Sequence, residues 1–175
     1  AKVLIDNKFD PTVFVGGSLD FLDGNSSRSG KSEFAIAEAD EYDRSFHQLK
    51  ADIAVITNIE PDHLDIYRDI EDIKNNFRKF IESGKKGLKI IACGDEKNVA
   101  GILKDIKNKK LYGYNKGNDY IIENISYGKT SISFSLDKDD IKIVVLGKHN
   151  ILNASAAYLT AKQFNISEEK FNQSM

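Results

Sequence analysis

The sequence has little cysteine, no excess of either charge and no long apolar run, and each shortage excludes a class of protein. Cys93 is the only cysteine, so an internal disulfide is excluded and a reducing compartment is favoured. With 25 Lys and Arg residues against 27 Asp and Glu residues, no basic footprint for nucleic acid or anionic lipid is evident. No apolar run approaches the ~20 residues needed to cross a bilayer, and the first residues lack the apolar stretch of a secretory signal. We therefore expect a cytoplasmic protein without nucleic-acid or membrane partners.

The length and composition suit one domain with a buried core, since 41% of the 175 residues are hydrophobic. The apolar residues that follow Lys2 could finish a helix, but no helix start signal precedes them. The chain also stops at Met175 inside an amphipathic pattern. We expect a fragment of a longer protein.

Strand and helix patterns alternate over roughly the first two-thirds of the chain. The apolar run Ile53–Ile59 is typical of a strand buried on both faces of a parallel sheet. A helix with Asp69 as its N-cap follows, and its apolar residues fall on one face. The other predicted strands are Thr12–Val15, Phe34–Ala37, Leu88–Cys93 and Leu111–Tyr114, and a further helix spans Val99–Ile106. This alternation predicts an α/β fold with a mostly parallel, doubly wound sheet and flanking helices.

Three strand patterns then follow with no room for helices between them. They are Tyr120–Tyr127, Thr130–Leu136 and Ile141–Leu146, separated by Gly128-Lys129 and Asp137–Asp140. We predict a small antiparallel three-stranded meander at about 120–146, with a tight hairpin as its first turn. A long helix from about Asn150 to Phe164 and another beginning near Ser167 complete the pattern.

The run from Gly24 to Ser32 ends in G-K-S, as a phosphate-binding P-loop does. A P-loop has four residues between its glycines and opens a helix. Here five residues separate Gly24 from Gly30, and the residues after Ser32 alternate like a strand. We interpret this run as a polar hairpin or loop before a strand.

Four carboxylates lie within six residues in E-A-D-E-Y-D, which begins at Glu38 directly after a predicted strand. Ligands of open α/β sheets bind at the carboxyl ends of the strands. Mg²⁺ suits such a place, because it takes one or two protein oxygens and leaves its other positions to water and phosphate. A solvated acidic loop would have the same composition, so both interpretations stay open. Glu38, next to the strand, is the best candidate for a metal ligand.

Polar residues also follow the most apolar strand, in T-N-I-E-P-D-H-L-D from Thr57 to Asp65. Pro61 fixes a turn there. His63 lies among carboxylates, where it could bind a metal ion or carry protons. A purely structural histidine is the alternative.

The long helix opens with G-K-H-N, so that His149 and Asn150 lie at its start. Asn150 could be the helix cap. Its amide could also donate and accept at once, which is the pattern that reads the N6/N7 edge of adenine. Asn153 lies about one turn further along the same face.

Taken together, these stretches resemble the central, ATP-binding domain of the Mur ligases over essentially all of residues 1–175. The resemblance is carried by E-A-D-E-Y-D-R-S-F from Glu38, T-N-I-E-P-D-H-L-D from Thr57 and G-K-H-N-I-L-N-A-S-A-A from Gly147. Within the family, the residues are most similar to the branch that joins L-alanine to UDP-N-acetylmuramate. The family's P-loop is absent from this chain, as are its N-terminal UDP-binding domain and its C-terminal domain.

The resemblance implies ATP-dependent amide-bond formation through an acyl phosphate, with UDP-N-acetylmuramate and L-alanine as substrates of a longer parent enzyme. It implies that Glu38 binds Mg²⁺ (or Mn²⁺) and His63 a second divalent ion, which makes both residues catalytic. It assigns His149 and Asn150 to adenine, and we group Asn153 and Asn58 with these cofactor-binding residues. Without the P-loop, we expect the chain alone to be inactive and to self-associate through an exposed sheet edge.

Two other functions stay open. An enzyme that adds a peptide to the same sugar nucleotide would suit E-A-D-E-Y-D equally well, although R-S-F-H-Q-L and T-N-I-E-P-D-H favour the alanine-adding branch. The other alternative is a nucleotide-binding module without catalysis. The presence of Glu38, His63 and Asn150 counts against it, because such a module has no need for both metal ligands.

Overall fold

The computed structural model describes residues 1–42, 44–61 and 65–175. The helices are α1 (Lys2–Asp6), α2 (Ile70–Ser83), α3 (Lys97–Ile102), α4 (Lys148–Lys162) and α5 (Glu168–Ser174). The strands are β1 (Thr12–Leu19), β2 (Asn25–Arg28), β3 (Ala35–Ala37), β4 (Ile53–Ile56), β5 (Lys89–Cys93), β6 (Lys109–Gly113), β7 (Tyr120–Tyr127), β8 (Ile132–Leu136) and β9 (Asp139–Ile143). Short 3-10 helices occur at Asp20–Leu22 and Ser45–Gln48.

These strands form a six-stranded sheet and a three-stranded sheet. The larger sheet has the order β4-β5-β6-β7-β8-β9; it is parallel from β4 to β7 and antiparallel from β7 to β9. The predicted meander is confirmed, and it extends the parallel sheet because β7 also pairs with β6. In the smaller sheet, of order β2-β1-β3, β1 pairs antiparallel with β2 and parallel with β3. The predicted α/β class is therefore confirmed.

Helices cover both faces of the larger sheet, as its interior strand β5 shows. Successive side chains of a strand point to opposite faces. Ile90 and Ala92 pack into a core with residues of α2 and α3, whereas Ile91 and Cys93 pack into a second core with residues of α4 and α5. The doubly wound arrangement predicted from the alternation of elements is thus present.

The strand predicted at Ile53–Ile59 is shorter and less buried than expected. Strand β4 ends at Ile56, and Val55 between the buried Ala54 and Ile56 is 44% exposed. The prediction of burial on both faces was wrong because β4 is an edge strand of the six-stranded sheet, where it pairs with β5. Ile59 is nevertheless only 2% exposed, since it packs beyond the strand with residues of α2.

Both turns of the meander are short hairpin turns, including the first, which was predicted to be tight. The connection after Tyr127 spans four residues and is closed by the Gly128 N–H, which donates to the Ser131 carbonyl (2.8 Å). Between β8 and β9, Asp137 and Lys138 alone make the turn. Asp137 has φ 58°, a left-handed conformation that aspartate tolerates better than most residues.

The bounds of β9 and α4 also differ from those predicted. β9 ends at Ile143, so the apolar residues 144–146 lie outside it, and α4 runs from Lys148 to Lys162. The predicted N-cap of α2 is confirmed, since Asp69 accepts from the Asp72 N–H (2.9 Å). The helix predicted to begin near Ser167 is also present, and Ser167 caps it by accepting from the Lys170 N–H (3.3 Å). None of the helices in the described ranges is long and apolar enough to cross a membrane.

The G-K-S run binds an internal carboxylate. The Lys31 N–H donates to Asp10 Oδ2 (3.0 Å), and the Ser32 N–H donates to the Asp10 carbonyl (3.2 Å). The Arg28 guanidinium pairs with Asp10 Oδ1. A Cβ at Gly30 would lie 2.1 Å from the Asp10 carbonyl oxygen, so glycine is required there. The run is therefore a polar hairpin and loop before β3, as the spacing of its glycines predicted.

Candidate active site at the carboxyl edge of the sheet

Glu38 is an exposed residue directly after β3. Its backbone N–H donates to the Phe14 carbonyl (2.8 Å), and its carboxylate oxygen Oε2 accepts from the Gly16 N–H (2.7 Å). No described residue donates a hydrogen bond to the other oxygen, Oε1. The carboxylate is thus oriented through one oxygen and open at the other.

An open carboxylate of this kind fits the predicted magnesium ligand. Among the described residues, no group of three or more His, Cys, Asp or Glu side chains could hold a metal ion. Mg²⁺ does not need such a group, because it usually keeps several waters and uses one or two carboxylates with substrate phosphates. His63, the other predicted metal ligand, lies outside the described residues.

The loop that carries Glu38 is joined to the loop after β4 by side chains. Tyr67, which is 1% exposed, donates its hydroxyl to the Glu41 carbonyl (2.5 Å). The Arg44 guanidinium lies over the Tyr67 ring (5.2 Å) and donates to Asp72 Oδ2 (3.3 Å). Burial raises the pKa of the Tyr67 hydroxyl, so it stays a proton donor. These contacts bring the two loops together even though β3 pairs with β1 and β4 pairs with β5.

The R-S-F-H part of the acidic run has a structural role. Phe46 is 1% exposed and packs against Phe77 and Phe80 of α2, with ring centroids 5.3 and 5.4 Å apart. His47 Nε2 lies 3.1 Å from the Asn76 carbonyl oxygen of the same helix. The end of the acidic loop is therefore anchored to α2.

Asn58 is exposed two residues beyond β4. Its Oδ1 accepts from the Thr57 hydroxyl (3.1 Å), and its amide donates to Glu60 Oε1 (3.2 Å). It lines a cavity of about 150 Å³ between the two joined loops. The lining residues are Glu41, Asn58, Ile59, Glu60, Pro61, Ile73 and Phe77. The cavity places polar groups from both strand ends around one space.

The start of α4 is shaped by Gly147, whose φ of 112° favours glycine. A Cβ at Gly147 would lie 2.8 Å from Cε1 of His149, so the exposed imidazole folds back over this glycine. The Asn150 amide donates to the Leu146 carbonyl (2.8 Å). Gly147 is the N-cap, so the alternative interpretation of Asn150 as the helix cap is wrong. No described residue donates to Asn150 Oδ1, and its second amide hydrogen is also left for a ligand.

The start of α4 lies at the same edge of the sheet as the two joined loops. The Lys148 ammonium lies 5.0 Å from the ring centroid of Tyr114, which directly follows the carboxyl end of β6. At the other end of α4, the Gln163 side chain accepts from Lys89 at the start of β5 (3.1 Å). Because β4, β5 and β6 are parallel, their carboxyl ends share one edge. Asn58 and the start of α4 with His149 and Asn150 lie at this edge, and the exposed Asn153 lies about one turn further along α4. Glu38 follows β3 of the smaller sheet, and its loop is joined to this edge through the contact between Tyr67 and Glu41.

The sequence of this domain matches a known family. Residues 24–161 match the family model of the Mur ligase middle domain. The chain belongs to the Mur ligase middle-domain family. The family expected from the three motifs is thus confirmed.

Relatives of this Mur ligase middle domain are longer than the present chain. A curated UDP-N-acetylmuramate–L-alanine ligase from Dictyoglomus turgidum is 41% identical over 97% of this chain, which covers 38% of that protein. The solved UDP-N-acetylmuramate-alanine ligase of Thermotoga maritima has a TM-score of 0.84 at 21% identity, over 99% of this chain and 39% of its own. A solved UDP-N-acetylmuramate:L-alanyl-gamma-D-glutamyl-meso-diaminopimelate ligase from Neisseria meningitides also has a TM-score of 0.84, at 22% identity, over 99% and 59% of the two chains. At these identities the solved structures show the fold alone.

Asp95, a further carboxylate at the carboxyl edge of the larger sheet, was not predicted from the sequence. Asp95 accepts from the backbone N–H groups of Tyr114 (2.6 Å) and Asn115 (3.2 Å) and from the Asn118 amide (2.8 Å). Burial opposes ionisation, but these hydrogen bonds outweigh it and lower the pKa of Asp95. Asp95 thereby fixes the loop that presents Tyr114 to Lys148. The dipeptide Gly94-Asp95 directly after an apolar strand was the available signal.

Proposed function

We propose that this chain is the central domain of an ATP-dependent UDP-N-acetylmuramate–L-alanine ligase, a cytoplasmic enzyme that forms an amide bond through an acyl phosphate. The proposal is supported by an open carboxylate at Glu38, whose loop is joined to the carboxyl edge of the larger sheet, and by an open amide at Asn150, at the start of the helix beside that edge. Ligands of open α/β sheets bind at this edge. The similarity to a UDP-N-acetylmuramate–L-alanine ligase over nearly the whole chain favours UDP-N-acetylmuramate and L-alanine as the substrates.

Glu38 would hold the divalent ion through Oε1, and His63 would hold a second one. Mg²⁺ or Mn²⁺, when bound, offsets the repulsion between an anionic carboxylate nucleophile and the γ-phosphate of ATP. Glu38 suits this role because its exposed carboxylate is already oriented by Gly16. The cavity lined by Asn58 and Glu41 lies beside the loop that carries it, and Asn58 would bind the nucleotide there.

The start of α4 would hold the adenine of ATP. Asn150 offers an acceptor and a donor, the combination that the N6/N7 edge of adenine requires. The preceding residues Val144, Val145 and Leu146 are 59, 46 and 51% exposed, which leaves apolar surface for a purine next to this amide. His149 and Asn153 would flank the base.

Catalysis would also need parts that residues 1–175 do not supply, namely a P-loop, a UDP-binding domain and a C-terminal domain. We expect the chain alone to release no phosphate from ATP above background, with or without UDP-N-acetylmuramate and L-alanine. We also expect it to self-associate through the terminal strands β3 and β4, whose outer backbone groups can pair with another copy. Turnover by a pure sample would contradict the first expectation, and a clean monomer in light scattering the second.

A phosphate-release assay on the complete protein tests the proposed function. With ATP and UDP-N-acetylmuramate present, we expect phosphate release with L-alanine and little with the tripeptide that murein peptide ligase uses. Preference for the tripeptide would establish the peptide-adding enzyme, whose fold is equally similar. Nucleotide binding without turnover on either acceptor would indicate a non-catalytic module.

A further inference from the structure

Gly16 donates to the side chain of Glu38 at the point where the backbone ladder between β1 and β3 would otherwise continue. The last residue pair of that ladder is Phe14 with Ala37, and the Glu38 N–H donates to the Phe14 carbonyl (2.8 Å). Donors of one strand in a parallel ladder alternate by two residues, so Gly16 is the next donor of β1 and the Glu38 carbonyl its regular acceptor. The Gly16 N–H donates to Glu38 Oε2 (2.7 Å). The carboxylate thus takes the place of a backbone acceptor.

The missing side chain of Gly16 leaves space beside both carboxylate oxygens. A Cβ at Gly16 would lie 3.4 Å from Oε2 and 3.7 Å from Oε1 of Glu38, in contact with each. At the neighbouring Gly17, a Cβ would meet nothing within 4 Å. Neither residue has a positive φ, so the difference between them is one of space and not of backbone strain.

We propose that Gly16 is the positioning residue of the metal-binding carboxylate. Its N–H fixes Oε2 of Glu38, and its bare Cα keeps Oε1 accessible to a divalent cation and the waters that the cation carries. This inference rests on the proposed function of Glu38 as a metal ligand. Carboxylates that bind metals are commonly oriented by a second hydrogen bond, and loss of such a partner typically lowers metal affinity about 10–100-fold.

The hydrogen bond itself can be tested without metal and without changing Gly16. In the nucleotide-free complete protein, Glu38→Gln replaces a charged acceptor by a neutral one, and a hydrogen bond to a charged group is the stronger. We expect the Gly16 amide proton to move upfield in the NMR spectrum, and the Gly17 amide proton to move much less. An unchanged Gly16 resonance would overturn the inference, as would equal shifts at Gly16 and Gly17.

Metal binding is tested by the electron paramagnetic resonance signal of free Mn²⁺, titrated with the complete protein and a non-hydrolysable ATP analogue. Gly16→Ala keeps the N–H but places a methyl group beside both oxygens of Glu38, so we expect it to weaken Mn²⁺ binding by about tenfold, the lower end of the usual range for such partners. The matched control, Gly17→Ala, should keep the wild-type affinity. In a Glu38→Gln background, Gly16→Ala should have no further effect, since the two residues act as one unit.

The outcomes separate this inference from the proposed function on which it rests. If Glu38→Gln keeps the wild-type Mn²⁺ affinity, the metal role of Glu38 is wrong. If Glu38→Gln weakens binding but Gly16→Ala does not, the positioning role of Gly16 alone is overturned. Melting temperatures of all variants show which are folded, and the NMR measurement decides the case if Gly16→Ala does not fold.

Discussion

The two ends of the candidate site are held in different ways. The acidic end depends on side chains that are distant in sequence, since Arg44 and Tyr67 join the loop of Glu38 to the loop after β4. The helix end depends on a few consecutive residues, since Gly147 sets the backbone and His149 packs on it. The acidic end should therefore be sensitive to remote substitutions, whereas the helix end should respond mainly to local ones.

The largest effect is expected at the acidic end, from loss of a metal ligand. In the complete protein, Glu38→Ala and His63→Ala should each lower kcat on the order of a thousandfold, because charge on the transferred phosphoryl group is no longer neutralised. The affinity for ATP should change far less. Steady-state phosphate release measures both quantities. Mn²⁺ in place of Mg²⁺ should partly restore a weakened His63 site but not a missing Glu38.

Glu33→Ala is the matched control, because Glu33 is another exposed glutamate close to β3. Its kcat should stay near that of the wild type. If Glu33→Ala and Glu38→Ala were equally impaired, the acidic end would be a structural region and not a metal site.

At the helix end, the largest expected effect is on stability. Gly147→Ala should lower the free energy of unfolding by about 2 kcal/mol, because alanine is strained at φ 112° and its Cβ would meet the His149 ring at 2.8 Å. Urea denaturation measures the change. Gly117→Ala is the control, since a Cβ at Gly117 would meet nothing within 4 Å. Equal loss in both variants would show that the His149 contact is unimportant.

The same contrast between local and remote contacts explains what could be predicted from the sequence. The cap Asp69 and the helix start near Ser167 were predicted correctly because a helix start is decided by residues about three positions apart. The exposure of Val55 was missed, because it depends on which strands flank β4 and not on the apolar run itself. The motifs identified Glu38 and Asn150 without showing which of their atoms are committed to other contacts.

The contacts that position the site were harder to predict still. Gly16 and Gly17 directly follow the predicted strand Thr12–Val15, but only the register of β1 with β3 distinguishes the two glycines. Likewise, nothing in the sequence near Arg44 indicates that its guanidinium lies over Tyr67. Such contacts follow from the packing of separate loops, which has no local sequence pattern.

A smaller effect is expected from Asn150→Ala, which sharpens the assignment of the helix end. Loss of a donor–acceptor contact to a base is worth about 1–3 kcal/mol, so KM for ATP should rise about tenfold or more while KM for L-alanine changes little. Stability should also fall by about 1 kcal/mol, because the Leu146 carbonyl loses its amide donor. Kinetics and thermal denaturation on one preparation separate the two effects.

Asn153→Ala provides the comparison for that experiment. Asn153 is exposed within α4, and no described residue is hydrogen-bonded to its side chain, so its replacement by alanine should not lower stability. If Asn150→Ala lost stability and kept its KM for ATP, Asn150 would serve only to fasten the start of the helix.

The smallest expected effect is on how stability depends on pH, and it arises from the contacts that join the two loops. The backbone N–H of Arg68 and the Arg44 guanidinium hold the pKa of Asp72 below its usual range, although burial opposes them. A depressed pKa contributes stability above the unfolded value of about 4, and this contribution is lost as the pH falls through the folded value. The stability difference between wild type and Asp72→Asn should therefore be constant from pH 7 to 5 and shrink below pH 4.

Tyr67→Phe is the control. The Tyr67 hydroxyl stays protonated throughout, so its loss should cost about 1 kcal/mol at every pH from 7 to 3. Thermal denaturation of the wild type and the two variants from pH 7 to 3 tests both expectations. If the Tyr67→Phe difference also shrank in acid, the two loops would separate as a unit when Asp72 is protonated.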